Sequence, residues 1–393
     1  MQVLSLIINL IITPEFSSFI LVLLVLMIFH KHKLLTAISG FTALSVIYLL
    51  RHGIGAYLHH LAQPSEYHLL YNLILLLPGF AMVAYYFEES GFDERISRVI
   101  RSDTILLWAV FCLSIVLDNI AAAMIGGVLL STRYGREVPF IMVVSVIASS
   151  NLGGAGSFAG DTTTVMLFVN GVSITTLAKG YAASIPAQVV INLFAKRHDC
   201  IPVQIAQNNS KLLNVRMFFP LIGVPGLALG NIMLDQPGLG LWAGLTLGIL
   251  IGRVRFHWQS IKQSVENTLF LTILVATAGL LPLNKLQPVL IEFSQNTIAV
   301  ILGLLSPWFD NIPLTKIAMD IGGFDWGLLA FCVGFGGSAM WFGSSAGVAI
   351  ALKFPQVYET KRWLKPFFIV MLSYIVGVTI YLGVFRLFKL IGF

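Results

Sequence analysis

Three aspartates stand where the surrounding sequence offers them little water: Asp118, Asp161 and Asp310 each interrupt an apolar run. A charged group in such a run costs about 2.5 to 3.5 kcal/mol on membrane-insertion scales, so each should face the interior of a helix bundle and serve something there. They are accompanied by the amides of Asn119, Asn151 and Asn311 and the hydroxyls of Thr162, Thr163, Thr164, Ser344 and Ser345. Carboxylate, amide and hydroxyl oxygens are hard ligands of the kind a small, hard cation prefers. Desolvation favours the protonated form of a buried acid, so an acid so placed can hold either a proton or Na⁺ near cellular pH. If the site changes sides only when loaded with one or the other, the outcome is antiport. Na⁺ at Asp118, Asp161 and Asp310 is the expected ion site. Taken singly, each aspartate could instead cap a half-helix or pair with Lys316, and each hydroxyl could be a cap or a packing contact. The three acids together carry the functional expectation.

The stretch 149–167 must position the most informative of these groups. It places Asp161 inside an apolar segment of membrane length, with Gly153, Gly154, Gly156 and Gly160 just before it. Each glycine costs about 1 kcal/mol against alanine in a helix, and irregular backbone at membrane depth survives only where it is buried in protein or lines a cavity. A broken helix is predicted, its second half starting near Asp161-Thr162-Thr163-Thr164, where free N–H groups would face a polar site.

Composition places the whole chain in the membrane. Of 393 residues, 57% are hydrophobic and only 11% charged, with a mean hydropathy of +0.87, which excludes an ordinary soluble domain. The net charge of +6 then reads as membrane orientation and calls for no nucleic acid. Cys112, Cys200 and Cys332 have no metal-binding spacing and imply no disulfide framework. The N-terminus shows no basic region before its first apolar run and is expected to stay uncleaved. No phosphate-binding loop is visible, and no cofactor is expected. The histidines His52, His59, His60 and His68 read as a solvated loop beside the membrane.

Apolar runs of spanning length cover 17–30, 34–50 and 69–87; then come 104–131 with Asp118-Asn119 near its middle, the broken 138–170, and 174–195. A polar, basic linker at 196–216 follows. The series resumes with 217–234, 236–252 and 264–282, then 297–322 around Asp310-Asn311, a glycine-broken 326–352, and 364–389. Residues 1–12 are too short to count as a span. Asp118-Asn119-Ile120 recurs as Asp310-Asn311-Ile312, and Gly153, Gly154, Gly160 and Val165 fall without gaps on Gly336, Gly337, Gly343 and Val348, with Phe158 opposite Trp341. This predicts an N-terminal transmembrane repeat at 1–195, a cytoplasmic linker at 196–216 and a C-terminal repeat at 217–393.

Basic residues set the topology. If 104–131 turns back at Asp118-Asn119, then Arg95, Arg98 and Arg101 lie on the same side as Arg133 and Arg136, as a cytoplasmic face should. That places Lys196, Arg197, Lys211, Arg216, Arg253, Lys353 and Lys361 inside as well, and leaves Lys285 outside. A straight crossing would split the set. The expected fold is therefore all-α and polytopic: an inverted repeat, each half with three spans, a re-entrant hairpin, a broken helix and a final span.

Asp118-Asn119, the string from Asn151 through Gly160-Asp161-Thr162-Thr163-Thr164 to Leu167, Asp310-Asn311-Ile312-Pro313-Leu314, and Gly343-Ser344-Ser345-Ala346-Gly347-Val348-Ala349 resemble the NhaD-type sodium/proton antiporters. That family belongs to the ion transporter superfamily, with the arsenite pumps and the citrate and dicarboxylate carriers. The resemblance runs from about Leu69 to Leu352. It implies hairpin tips meeting helix breaks, elevator-type movement of a core against a dimeric scaffold, Na⁺ (or Li⁺) and H⁺ as passengers, a multi-pass location in a prokaryotic cell membrane, and no enzymatic activity. The chain departs from the family in being short and in placing Lys316 six residues after Asp310. A citrate, dicarboxylate or arsenite carrier of the same superfamily is the alternative within transport; Lys316 favours an anion, and three acids oppose one. An intramembrane aspartyl protease is the alternative from another class. Its Tyr-Asp and Gly-x-Gly-Asp patterns are not met, because Leu117 precedes Asp118 and Phe158-Ala159-Gly160 precedes Asp161.

Overall fold

Apolar sequence punctuated by glycine and by Ser, Asp or Asn caps folds into helices of unequal length. A computed structural model of the chain describes residues 13–28, 32–61, 64–91, 95–96, 99–100, 102–135, 137–158, 160–196, 214–234, 236–282, 293–309 and 311–391. Its helices are α1 (Pro14–Ile28), α2 (Lys33–Leu61), α3 (Pro64–Glu89), α4 (Asp103–Val116), α5 (Asn119–Tyr134), α6 (Phe140–Gly154), α7 (Thr162–Val169), α8 (Ile174–Ala178) and α9 (Tyr181–Lys196). They continue as α10 (Val215–Phe218), α11 (Gly223–Leu234), α12 (Pro237–Gly252), α13 (Trp258–Gly279), α14 (Gln295–Leu305), α15 (Asn311–Ile321), α16 (Trp326–Gly336), α17 (Ser345–Ile350) and α18 (Leu364–Ile391). Among the described residues there is no strand. Three helical stretches, Lys33–His60, Leu70–Glu89 and Thr360–Leu387, are long and apolar enough to cross a membrane, and shorter apolar helices accompany them. The chain is a helical integral membrane protein.

The long apolar segments break where the sequence supplies a cap. Segment 104–131 divides into α4 and α5 at Leu117 and Asp118, both extended, and the Asp118 side chain caps α5. Segment 138–170 divides into α6 and α7, with Asp161 the N-cap of α7 as expected. Segment 326–352 divides into α16, a 3-10 turn at Gly337–Ala339 and α17, capped by Ser344. Segment 297–322 divides into α14 and α15; Asp310, between them, lies outside the described residues. One expected span is wrong in detail. The 174–195 stretch is two helices, α8 and α9, divided at Lys179-Gly180, where a Cβ on Gly180 would meet the backbone oxygens of Gly327, Ala155 and Leu177. Residues 1–12, most of the linker, Arg101 and Lys285 lie outside the described residues.

Close packing at the breaks depends on missing side chains. A Cβ on Gly153 would lie 2.1 Å from the Phe111 carbonyl oxygen, and one on Gly336 would lie 2.1 Å from that of Gly303, so α6 seats on α4 and α16 on α14 backbone to backbone. Lipid offers no hydrophobic drive between helices, and small residues that permit such approach are the usual means of association.

The helices gather in two groups that cut across chain order. In one, α1 packs on α2, α2 and α3 on α13, and α12 on α3 and α11. In the other, α4, α5, α6 and α9 pack together and α9 continues onto α18, while α16 joins α14, α15 and α18. Contacts of α3 with α5 and of α13 with α17 join the groups. So do the ion pair of Lys353 with Glu88 at 2.6 Å and the Lys33 ammonium, 3.6 Å from the centroid of the Tyr358 ring.

Candidate functional site

Asp118 closes the turn between α4 and α5. Its Oδ1 accepts a hydrogen bond from the Ile120 N–H at 2.8 Å, occupying one free donor at the start of α5. Asn119, fully buried, donates from Nδ2 to Asn151 Oδ1 at 2.9 Å. Asn151, near the end of α6, donates in turn to Ser338 Oγ at 2.7 Å and Ser344 Oγ at 3.0 Å. Asn119 and Asn151, with Ser338 and Ser344 more than 180 positions further along the chain, thus tie the turn between α4 and α5 to both helix breaks.

Asp161 anchors the other side. Its Oδ1 accepts from the Thr163 N–H at 3.1 Å and lies 3.5 Å from Asn311 Nδ2, at the start of α15. Asp161 Oδ2 and Asn311 Oδ1 are buried without a hydrogen-bond partner among the described residues, as is Asn119 Oδ1. The space in front of Asp161 Oδ2 is bounded by Gly334 of α16: a Cβ there would come within 3.0 Å of Oδ2 and 3.7 Å of Thr163 Oγ1. Asp118 is close enough to Asp161 for the two carboxyl groups to interact electrostatically. An unsatisfied buried acceptor costs about 1 to 3 kcal/mol, so these oxygens call for a donor or a positive group.

Most of the residues singled out in the sequence come together here: Asp118, Asn119, Asn151, Asp161, Thr163, Asn311 and Ser344. Thr164 serves the backbone, donating to the Asp161 carbonyl at 2.8 Å. Thr162 is half-buried, and Ser345 is buried as the first residue of α17. Lys316 is half-buried on α15, five residues beyond Asn311. Two residues of the cluster escaped the sequence reading. Ser338 had no distinguishing neighbour. Gly334 did leave a signal, since the register that sets Gly153 on Gly336 also sets Asn151 on Gly334.

Apolar helices broken at a shared, buried polar cluster are the arrangement in which discontinuous helices of transporters build their sites. Its relatives narrow the class. The chain is 25% identical over 337 residues to sodium/proton antiporter 1 of Arabidopsis thaliana, covering 74% of this chain and 57% of that one. It is 27% identical over 292 residues to sodium/proton antiporter 2 of the same plant, covering 63% and 69%. With the Na⁺/H⁺ antiporter NhaD of Vibrio cholerae it shares 25% over 329 residues, covering 70% and 68%. The resemblance to the NhaD-type antiporters therefore holds over most of the chain, and these relatives are named as transporters. The chain spans less than six tenths of the first plant relative. No family model matches it.

Proposed function

We propose that the chain exchanges Na⁺ for H⁺ across a membrane, with cation and proton competing at Asp161. The observation that carries this is the set of buried acceptor oxygens at the helix breaks, Asp161 Oδ2, Asn311 Oδ1 and Asn119 Oδ1, beside the Thr163 hydroxyl. A desolvated Na⁺ or Li⁺ supplies what those acceptors lack, and a proton on Asp161 removes the charge that attracts it. Asp118 adds a second acid within electrostatic reach, and Asp310 is the third expected member.

The wider mechanism follows the same lines. The chain is read as two inverted repeats, 1–195 and 217–393, joined by a cytoplasmic linker at 196–216. Matching contacts support that reading: Gly153 meets Phe111 as Gly336 meets Gly303, and Asp161 caps α7 as Ser344 caps α17. The pair α4–α5 is a re-entrant hairpin, supported by Arg133 Nε, at the end of α5, 2.8 Å from Asp103 Oδ1, at the start of α4. The group holding α1–α3 and α11–α13 is the scaffold, the site of a homodimer, and the remaining helices are the core that carries the ion as an elevator. The test is proton flux in vesicles of the full chain. Addition of Na⁺ or Li⁺ should release protons; citrate-driven uptake without cation-driven proton release would assign the chain to the anion carriers.

A further inference from the structure

We infer that the two pseudo-symmetric halves of the site are not equivalent, and that each chain holds one cation, admitted by Gly334 and excluded from the mirror position by Asn151. This deepens the antiporter reading and rests on it. In the register of the repeat, Asn119 is the mate of Asn311, Asp161 of Ser344 and Asn151 of Gly334. At the first position Asn119 does not reach the capping residue directly. Asn151 stands between them, accepting from Asn119 and donating both its N–H groups' worth of bonding to Ser338 and Ser344. An amide nitrogen bearing hydrogens thus occupies the place from which oxygens would have to face a cation, and the capping residue there is a neutral serine.

At the second position Asn311 reaches the capping residue itself, a carboxylate, at 3.5 Å. Glycine stands where the intervening amide stood. Asp161 Oδ2 and Thr163 Oγ1 both look toward the Cα of Gly334, and Asn311 Oδ1 and Asp161 Oδ2 have no partner among the described residues. Among the described residues, charge, unpaired acceptors and room coincide at this position, whereas the mirror position holds the unpaired Asn119 Oδ1 beside a neutral cap and an intervening amide. Any side chain at residue 334 would intrude: a methyl group would stand 3.0 Å from Asp161 Oδ2, short of comfortable van der Waals contact.

The experiment is equilibrium binding of Na⁺ to the purified full chain, titrated calorimetrically with Li⁺ in parallel. Wild type should bind one Na⁺ per chain. Gly334→Ala, which favours a helix over glycine and so should not hinder folding, should weaken binding about tenfold or more. Gly334→Asn, which copies the mirror residue, should abolish it. Two Na⁺ per wild-type chain, or wild-type affinity in both Gly334 variants, overturns this inference and leaves antiport standing. Absence of binding of either cation to wild type overturns the antiporter reading and this one with it.

Discussion

At the scale of single residues, Asp161 does two things that substitution can separate. It caps α7 through Oδ1 and presents Oδ2 to the site. Asparagine caps as well as aspartate does, so Asp161→Asn should cost under about 0.5 kcal/mol of stability. It should nevertheless abolish Na⁺-coupled proton movement, because the charge and the titratable proton are gone. Retained exchange in vesicles would reduce Asp161 to a cap. For wild type the sign of the pH dependence follows from competition: as pH falls the carboxyl groups protonate, so the Na⁺ concentration for half-maximal exchange should rise, and raising external Na⁺ should restore the rate. Lys316 offers a sharper test. If its ammonium neutralises one of the acids, Lys316→Ala should shift the pH profile of exchange without abolishing transport; if it snorkels to the surface, the profile should match wild type measured in the same vesicles. The polar residues of the site were legible because Asp and Asn are rare in apolar runs. Ser338 and Gly334 were not, because serine and glycine are common in membrane helices and their meaning lies in what faces them across the break.

At the scale of elements, the caps made the breaks readable. Asp161 caps α7 where its sequence context placed a helix start, and Asp118 and Ser344 cap α5 and α17 in the same way. The division of 174–195 into α8 and α9 at Lys179-Gly180 was not readable, since glycine is common in membrane helices and does not by itself signal a break. Asp103 at the start of α4 and Arg133 at the end of α5 meet in a mostly buried ion pair, which favours the proposed hairpin. Single cysteines replacing Arg101 and Arg133 should therefore react with an impermeant thiol reagent from the same, cytoplasmic side, and one replacing Lys285 from the other. Opposite labelling of positions 101 and 133 would rule out the hairpin.

At the scale of the whole molecule, the packing of α1–α3 with α12 and α13 has a consequence for how the protein is made. A ribosome delivers the early partners long before the late ones, so α2, packed on α1, and α3, packed on α5, must wait for α12 and α13 while the chain from Glu89 to Pro237 and beyond is synthesised. Neither portion of the polypeptide owns a complete set of neighbours, and each should be a substrate for membrane proteases when made alone. Cutting the gene between the codons for Ile205 and Lys211, outside every described helix, should yield two fragments that are scarce when expressed singly and abundant when expressed together. Immunoblots of cells carrying one plasmid or both would show it. Full accumulation of the first fragment on its own would mean that the early helices do not need their late partners to survive.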